Sequence, residues 1–166
     1  MSDTYVECLV KAKQSLLAKF LKGFFTILTV IFSLIMFVFA NITFFVLAVA
    51  CGVASYFINL LTDLEYEYLY LDRELVVDKV MAKSKRKRVD TYSIDRMEIL
   101  APINSYHLDA FKNRDAKVKD FSVGKAEQPD LRYVMYYEGG VKLILNPSES
   151  MVKAIKNVAP RKVFTE

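Results

Sequence analysis

Between Gly23 and Leu61 the chain is uncharged and predominantly apolar, and from Leu64 onward hydrophobic and polar residues alternate in short runs. The first stretch holds no Asp, Glu, Lys, Arg or His over 39 residues. A helix needs about 20 apolar residues to cross a hydrocarbon core about 30 Å thick, so this run is long enough to cross twice. Asn41 is the most polar residue near its middle. It predicts a tight turn between spans at Phe20–Ala40 and Ile42–Leu61, a two-helix transmembrane hairpin. A cleaved signal peptide has an apolar region of only about 7–15 residues, and a single span would leave about twenty apolar residues in water.

Small and hydroxyl residues within the run recur at helical spacing. Ala48, Gly52, Ser55 and Asn59 form one stripe on the second span, and Thr26, Thr29 and Ser33 form one on the first. With the turn at Asn41 the two stripes meet at similar depths, as a packed hairpin interface requires. The absence of ionisable groups from the run points to an anchor rather than a transport path.

Lys11, Lys13, Lys19 and Lys22 precede the first span, and Arg73, Lys79 and the cluster Lys83–Arg88 follow the second. The turn carries no charge. This asymmetry places both termini in the cytoplasm and the chain in the cell membrane as a multi-pass protein. Ahead of the first span, Val6, Leu9, Val10, Lys13, Leu16, Leu17 and Phe20 have helical periodicity with lysines between them. They predict an amphipathic segment over 1–19, either lying on the membrane surface or extending the span. The expected organisation is thus 1–19 amphipathic segment, 20–62 transmembrane hairpin and 63–166 cytoplasmic domain.

In the domain the period is two. Leu64–Leu71 alternates with Tyr66, Tyr68 and Tyr70 on one face, and Glu74–Met81 resumes after Asp72-Arg73, which predicts a hairpin. Further strands are expected at Arg88–Ile94, Met97–Leu100, Val118–Val123, Leu131–Tyr137 and Val141–Leu145. Pro102 stops the second of these, and Gly139-Gly140 allows a tight turn between the last two. Asn104–Ala116 is weakly patterned, a loop or a short helix. A final helix is announced by Asn146 as N-cap, Pro147 at the first position and Glu149 in the first turn. Met151, Val152, Ile155 and Val158 give it an apolar stripe, and Pro160 ends it.

Four strands, three strands and a C-terminal capping helix in this order resemble the pleckstrin-homology-like (PH-like) split barrel. The texture of Glu65–Asp78, Lys83–Pro102 and Asn146–Lys162 resembles small membrane proteins of Gram-positive bacteria that carry such a domain after two transmembrane helices. The resemblance implies an α+β fold, a seven-stranded split β-barrel closed by the last helix, and names no activity. Phosphoinositide-binding members carry basic residues in a long loop between the first two strands. Here that turn is only Asp72-Arg73, so the lipid-headgroup pocket does not carry over.

Composition adds exclusions. The formal net charge of +4 is modest and spread along the chain, which argues against a nucleic-acid partner. Cys8 and Cys51 form neither a metal nor a redox spacing, and His107 stands alone, a surface or loop histidine. No phosphate-binding glycine loop, nucleophile elbow or metal motif occurs, so neither an enzyme nor a cofactor is expected. Glu65 and Glu67 alternate on a strand and read as a solvated face. The seven tyrosines Tyr66, Tyr68, Tyr70, Tyr92, Tyr133, Tyr136 and Tyr137 suit either a core or a ligand face.

What remains is the cation cluster Lys79, Lys83, Lys85, Arg86, Lys87 and Arg88. Read as a hairpin flaring into solvent, it is either a topology signal or a candidate contact with anionic lipid headgroups. The chain is therefore expected to be a membrane-tethered binding or scaffold module, with membrane lipids and another protein as partners. The alternative is an accessory structural subunit of a larger membrane complex.

Overall fold

The computed structural model describes residues 5–12, 16–81, 83, 85–124 and 129–166. It resolves into two compact units, the apolar hairpin and a two-sheet domain.

The hairpin consists of α1 (Leu16–Phe39) and α2 (Ile42–Thr62). Ala40 takes a left-handed φ of 48°, and Asn41 caps α2 by accepting a hydrogen bond from the Thr43 amide at 2.9 Å. An asparagine at this position satisfies one of the helix's orphan amides. The expected stripes meet. The Thr26 and Ser55 hydroxyls lie 2.9 Å apart, and a Cβ built on Gly52 would rest 3.7 Å from Thr29 Cγ2. Lys22 Nζ donates to Asn59 Oδ1 at 2.6 Å. Both helices are long and apolar enough to cross a membrane, and α1 has no buried residue.

Among the described residues the domain contains eight strands: β1 (Val6–Lys11), β2 (Leu64–Leu71), β3 (Glu74–Met81), β4 (Lys85–Ser93), β5 (Met97–Pro102), β6 (Lys117–Asp120), β7 (Tyr133–Tyr137) and β8 (Val141–Leu145). They make two four-stranded sheets, ordered β1-β2-β3-β4 and β5-β7-β8-β6. The expected seven-stranded barrel is therefore corrected to eight strands in two sheets, with no closed barrel among the described residues.

The additional strand is β1. Val6–Lys11 is extended rather than helical and pairs antiparallel with β2, Val10 opposite Tyr66 and Lys11 opposite Glu65. The helical reading of this segment is overturned: Val6, Leu9 and Val10 fit a helical stripe, but Val6, Cys8 and Val10 fit an alternating face equally well, and Val10 joins the core. Lys13 lies outside the described residues. The domain thus begins before the hairpin, which is spliced into the connection between two paired strands.

The second sheet also departs from a simple meander. β6 pairs with β8 in parallel, from Lys117 opposite Val141 to Asp120 opposite Ile144. Alternation identifies a strand but not its neighbour, and no turn joins β6 to β8. The β2–β3 turn is tight, with Asp72 and Arg73 both left-handed at φ 48° and 64°, the pattern of a two-residue hairpin turn. The β7–β8 turn places Gly139 and Gly140 at φ 85° and 71°.

The final helix, α3 (Glu149–Val158), is capped by Ser148, whose side chain accepts from the Met151 amide, not by Asn146. Asn146 binds inward instead. Its Oδ1 accepts from the Val123 amide at 3.1 Å, and its own amide donates to Tyr68 Oη. Met151, Val152 and Ile155 of α3 pack on Tyr68, Leu75, Leu100, Met135 and Leu143 to form the main core. A 3-10 segment, Tyr106–Phe111, covers the other face of the second sheet through Leu108.

Candidate functional site: the basic strand and the acids beneath it

The cations singled out in the sequence fall on one hairpin. Lys79 is half-buried on β3, and Lys83 sits in the turn at a left-handed φ of 56°. Lys85, Arg86, Lys87 and Arg88 are all exposed on β4, an edge strand of the first sheet. The cluster is thus mostly regular strand, which corrects the expectation of a hairpin flared into solvent. A strand alternates its side chains, so Arg86 and Arg88 share one side while Lys85 and Lys87 point away.

The arginines are engaged. Arg86 Nη2 donates to Glu67 Oε1 at 2.7 Å, and Arg88 Nε lies 3.7 Å from Asp78 Oδ1. Both acids are nearly inaccessible, with side chains 3% and 6% exposed. Glu65 is buried as well, so the expectation of a solvated Glu65 and Glu67 face is wrong. Burial pushes the Glu67 carboxyl above its usual range; the Arg86 charge opposes this and Glu7 reinforces it. Glu67 Oε2 and Asp78 Oδ1 have no hydrogen-bond partner among the described residues. In the sequence, Arg86 and Arg88 are two apart and so share a side of a strand, but that spacing does not identify the acids, which lie on β2 and β3.

The lysines differ. Among the described residues, Lys79, Lys83, Lys85 and Lys87 form no ion pair. The six-residue cluster divides into two arginines that cover buried acids and four lysines that form no ion pair among the described residues.

Further along β4 the polar contacts cross to the second sheet. Lys119 on β6 forms an ion pair with Asp90 and donates to Tyr92 Oη at 3.2 Å, while Tyr92 Oη donates to Asp90 Oδ2 at 2.9 Å. The Lys119 hydrogen bond holds the Asp90 carboxyl below its usual range, and burial pushes the Tyr92 phenol up to about 12. The tyrosines do not form a ligand face. Tyr68, Tyr70, Tyr92 and Tyr136 are buried, and Tyr66, Tyr133 and Tyr137 pack against the core. Tyr68 donates to the Phe121 carbonyl at 2.6 Å, and burial raises its pKa. His107 is half-buried in the 3-10 segment, stacked on Phe164 with ring centroids 3.7 Å apart. Among the described residues no group of His, Cys, Asp and Glu is placed to hold a metal ion.

Residues 2–165 match the family model described as a bacterial PH-like domain, DUF6106. No curated protein and no solved structure matches the chain. Since the match runs through β1, the apolar hairpin, both sheets and α3, the chain belongs to this family of bacterial PH-like domains.

Proposed function

We propose that the protein is a membrane-tethered binding module at the cytoplasmic face of the cell membrane. In this reading α1 and α2 span the bilayer, both termini are cytoplasmic, and the two-sheet domain holds a protein partner. Lys79, Lys83, Lys85 and Lys87 meet anionic headgroups. The observation that carries it is the splice: the apolar hairpin leaves the domain from β1 and returns into β2, two strands paired with each other.

The hairpin's surface supports the membrane location. Ile27, Leu34, Phe37 and Val38 on α1 and Val46, Val53 and Phe57 on α2 are at least half exposed, a continuous apolar surface that demands lipid. Near an anionic leaflet each lysine contributes about 1 kcal/mol. The accessory-subunit reading draws no support from the hairpin, whose hydroxyl and small residues are turned onto its own interface.

The chain has no tryptophan, so Val89→Trp on β4 gives a unique fluorescent reporter. With the full protein in vesicles, brominated lipid should quench it more strongly in anionic than in neutral bilayers. Salt should weaken the effect, because charges are screened over about 8 Å at physiological ionic strength. Replacing Lys83, Lys85 and Lys87 by Gln should remove the difference. Equal quenching in both bilayers would sink the lipid contact.

A further inference from the structure

At the charged end of the hairpin lies an open pocket of about 360 Å³, lined by Lys19 and Lys22 of α1 and by Asn59, Thr62 and Asp63 at the end of α2. Its polar groups carry both signs of charge. Lys22 Nζ donates to Asn59 Oδ1 at 2.6 Å, so the Asn59 amide NH₂ is a donor with no partner among the described residues. Lys19 is one helical turn away on the same face of α1. Thr62 donates its hydroxyl hydrogen to the Ile58 carbonyl at 2.7 Å, so its oxygen can only accept a further bond. Asp63 brings a carboxylate that forms no ion pair among the described residues. Two ammonium groups, an amide, a carboxylate and a hydroxyl oxygen present both signs of charge within one cavity.

Depth decides what can reach it. At 1.5 Å per residue, Lys22 stands about 26 Å from Phe39 at the far end of α1. That is close to the hydrocarbon thickness of about 30 Å. Lys22 and Asn59 therefore fall at the level of the headgroup phosphates when the opposite end of the hairpin meets the other interface. A simple anionic headgroup would satisfy the lysines and leave Asp63 facing negative charge.

We infer that this pocket seats the headgroup of an aminophospholipid: the phosphodiester rests on Lys19, Lys22 and the Asn59 amide, and the headgroup amine on Asp63. The inference uses none of the lysines of β3 and β4, and it rests on the reading of α1 and α2 as membrane spans.

The test uses the full protein in detergent, offered equal amounts of phosphatidylethanolamine, phosphatidylglycerol and phosphatidylcholine with matched acyl chains. Native mass spectrometry then counts the lipids retained. Phosphatidylethanolamine should be held in preference to both others. Lys19→Gln with Lys22→Gln should lower that retention about tenfold or more, as charge-assisted hydrogen bonds are lost. Asp63→Asn should move the preference toward phosphatidylglycerol. Equal retention of the three lipids, retention unaffected by the lysine changes, or an unchanged preference in Asp63→Asn would overturn the inference. Alkaline carbonate extraction of the same protein from native membranes reports on the anchor itself. Release into the soluble fraction overturns the membrane reading, whereas firm retention without a lipid preference overturns only the pocket.

Discussion

Arg86 Nη2 and Glu67 Oε1 lie 2.7 Å apart, an exposed guanidinium closing over a carboxylate that is only 3% exposed. The pair joins the edge strand β4 to β2 in the first sheet and gives the basic strand a structural duty besides any surface role. An ionised group left alone at such a site loses its hydration and gains nothing in return.

Removing the arginine should therefore cost stability. Arg86→Gln is expected to lower stability by about 1–3 kcal/mol, the penalty of leaving a buried acceptor unmatched. Adding Glu67→Gln should restore most of the loss, since two amides can pair without charge. Thermal unfolding of the detergent-solubilised protein measures both variants. A single variant as stable as the parent would show that Glu67 needs no partner.

Glu67 also predicts a pH dependence. Its carboxyl is held above the usual range, chiefly by burial, so the folded protein binds this proton more tightly than the unfolded chain does. Stability from this group is then present at low pH. It is lost as pH rises from the unfolded value of about 4.3 through the folded one. Glu67→Gln removes that dependence, and the melting temperature of the variant should improve relative to the parent as pH is raised from 4 to 7. A difference that stays constant over this range would mean that Glu67 is not perturbed.

Ile155 lies on the buried face of α3 and is 1% exposed. Ile155→Ala should cost about 2–5 kcal/mol, the range for removing a large core side chain. Lys153→Ala, at an exposed position on the same helix, should stay within about 0.5 kcal/mol of the parent. If both variants melt alike, α3 does not pack on the sheets.

Within the apolar hairpin, Gly52 separates a tolerated change from a disruptive one. A Cβ there would meet Thr29 Cγ2 at 3.7 Å, ordinary contact distance, so Gly52→Ala should be nearly neutral. Gly52→Leu adds three further carbons against the facing helix and should cost about 1–3 kcal/mol, as overpacking does. Disulfide trapping between cysteines placed at Thr26 and Ser55 reads the result, after Cys8 and Cys51 are replaced by serine. Equal trapping in the alanine and leucine variants would argue against the close approach.

Local chemistry was legible along the chain wherever one residue type or one short period suffices. The uncharged run from Gly23 to Leu61 defines two helices because length and polarity alone decide that question, and Asn41 marks the turn because it can cap α2. Alternation located β2, β3, β7 and β8 to within a few residues, and Gly139-Gly140 supplied the turn between the last two. Tertiary structure decided the rest. Val6–Lys11 has apolar residues that satisfy both a helix and a strand, and only the open edge of β2, far along the sequence, selects the strand. β6 finds β8 in parallel through no adjacent turn. Glu67 reads as a solvent-facing acid until Arg86 folds over it. In each case the deciding contact joins residues distant in the chain. Its free energy is gained only when the sheets assemble, so the local pattern carries no trace of it.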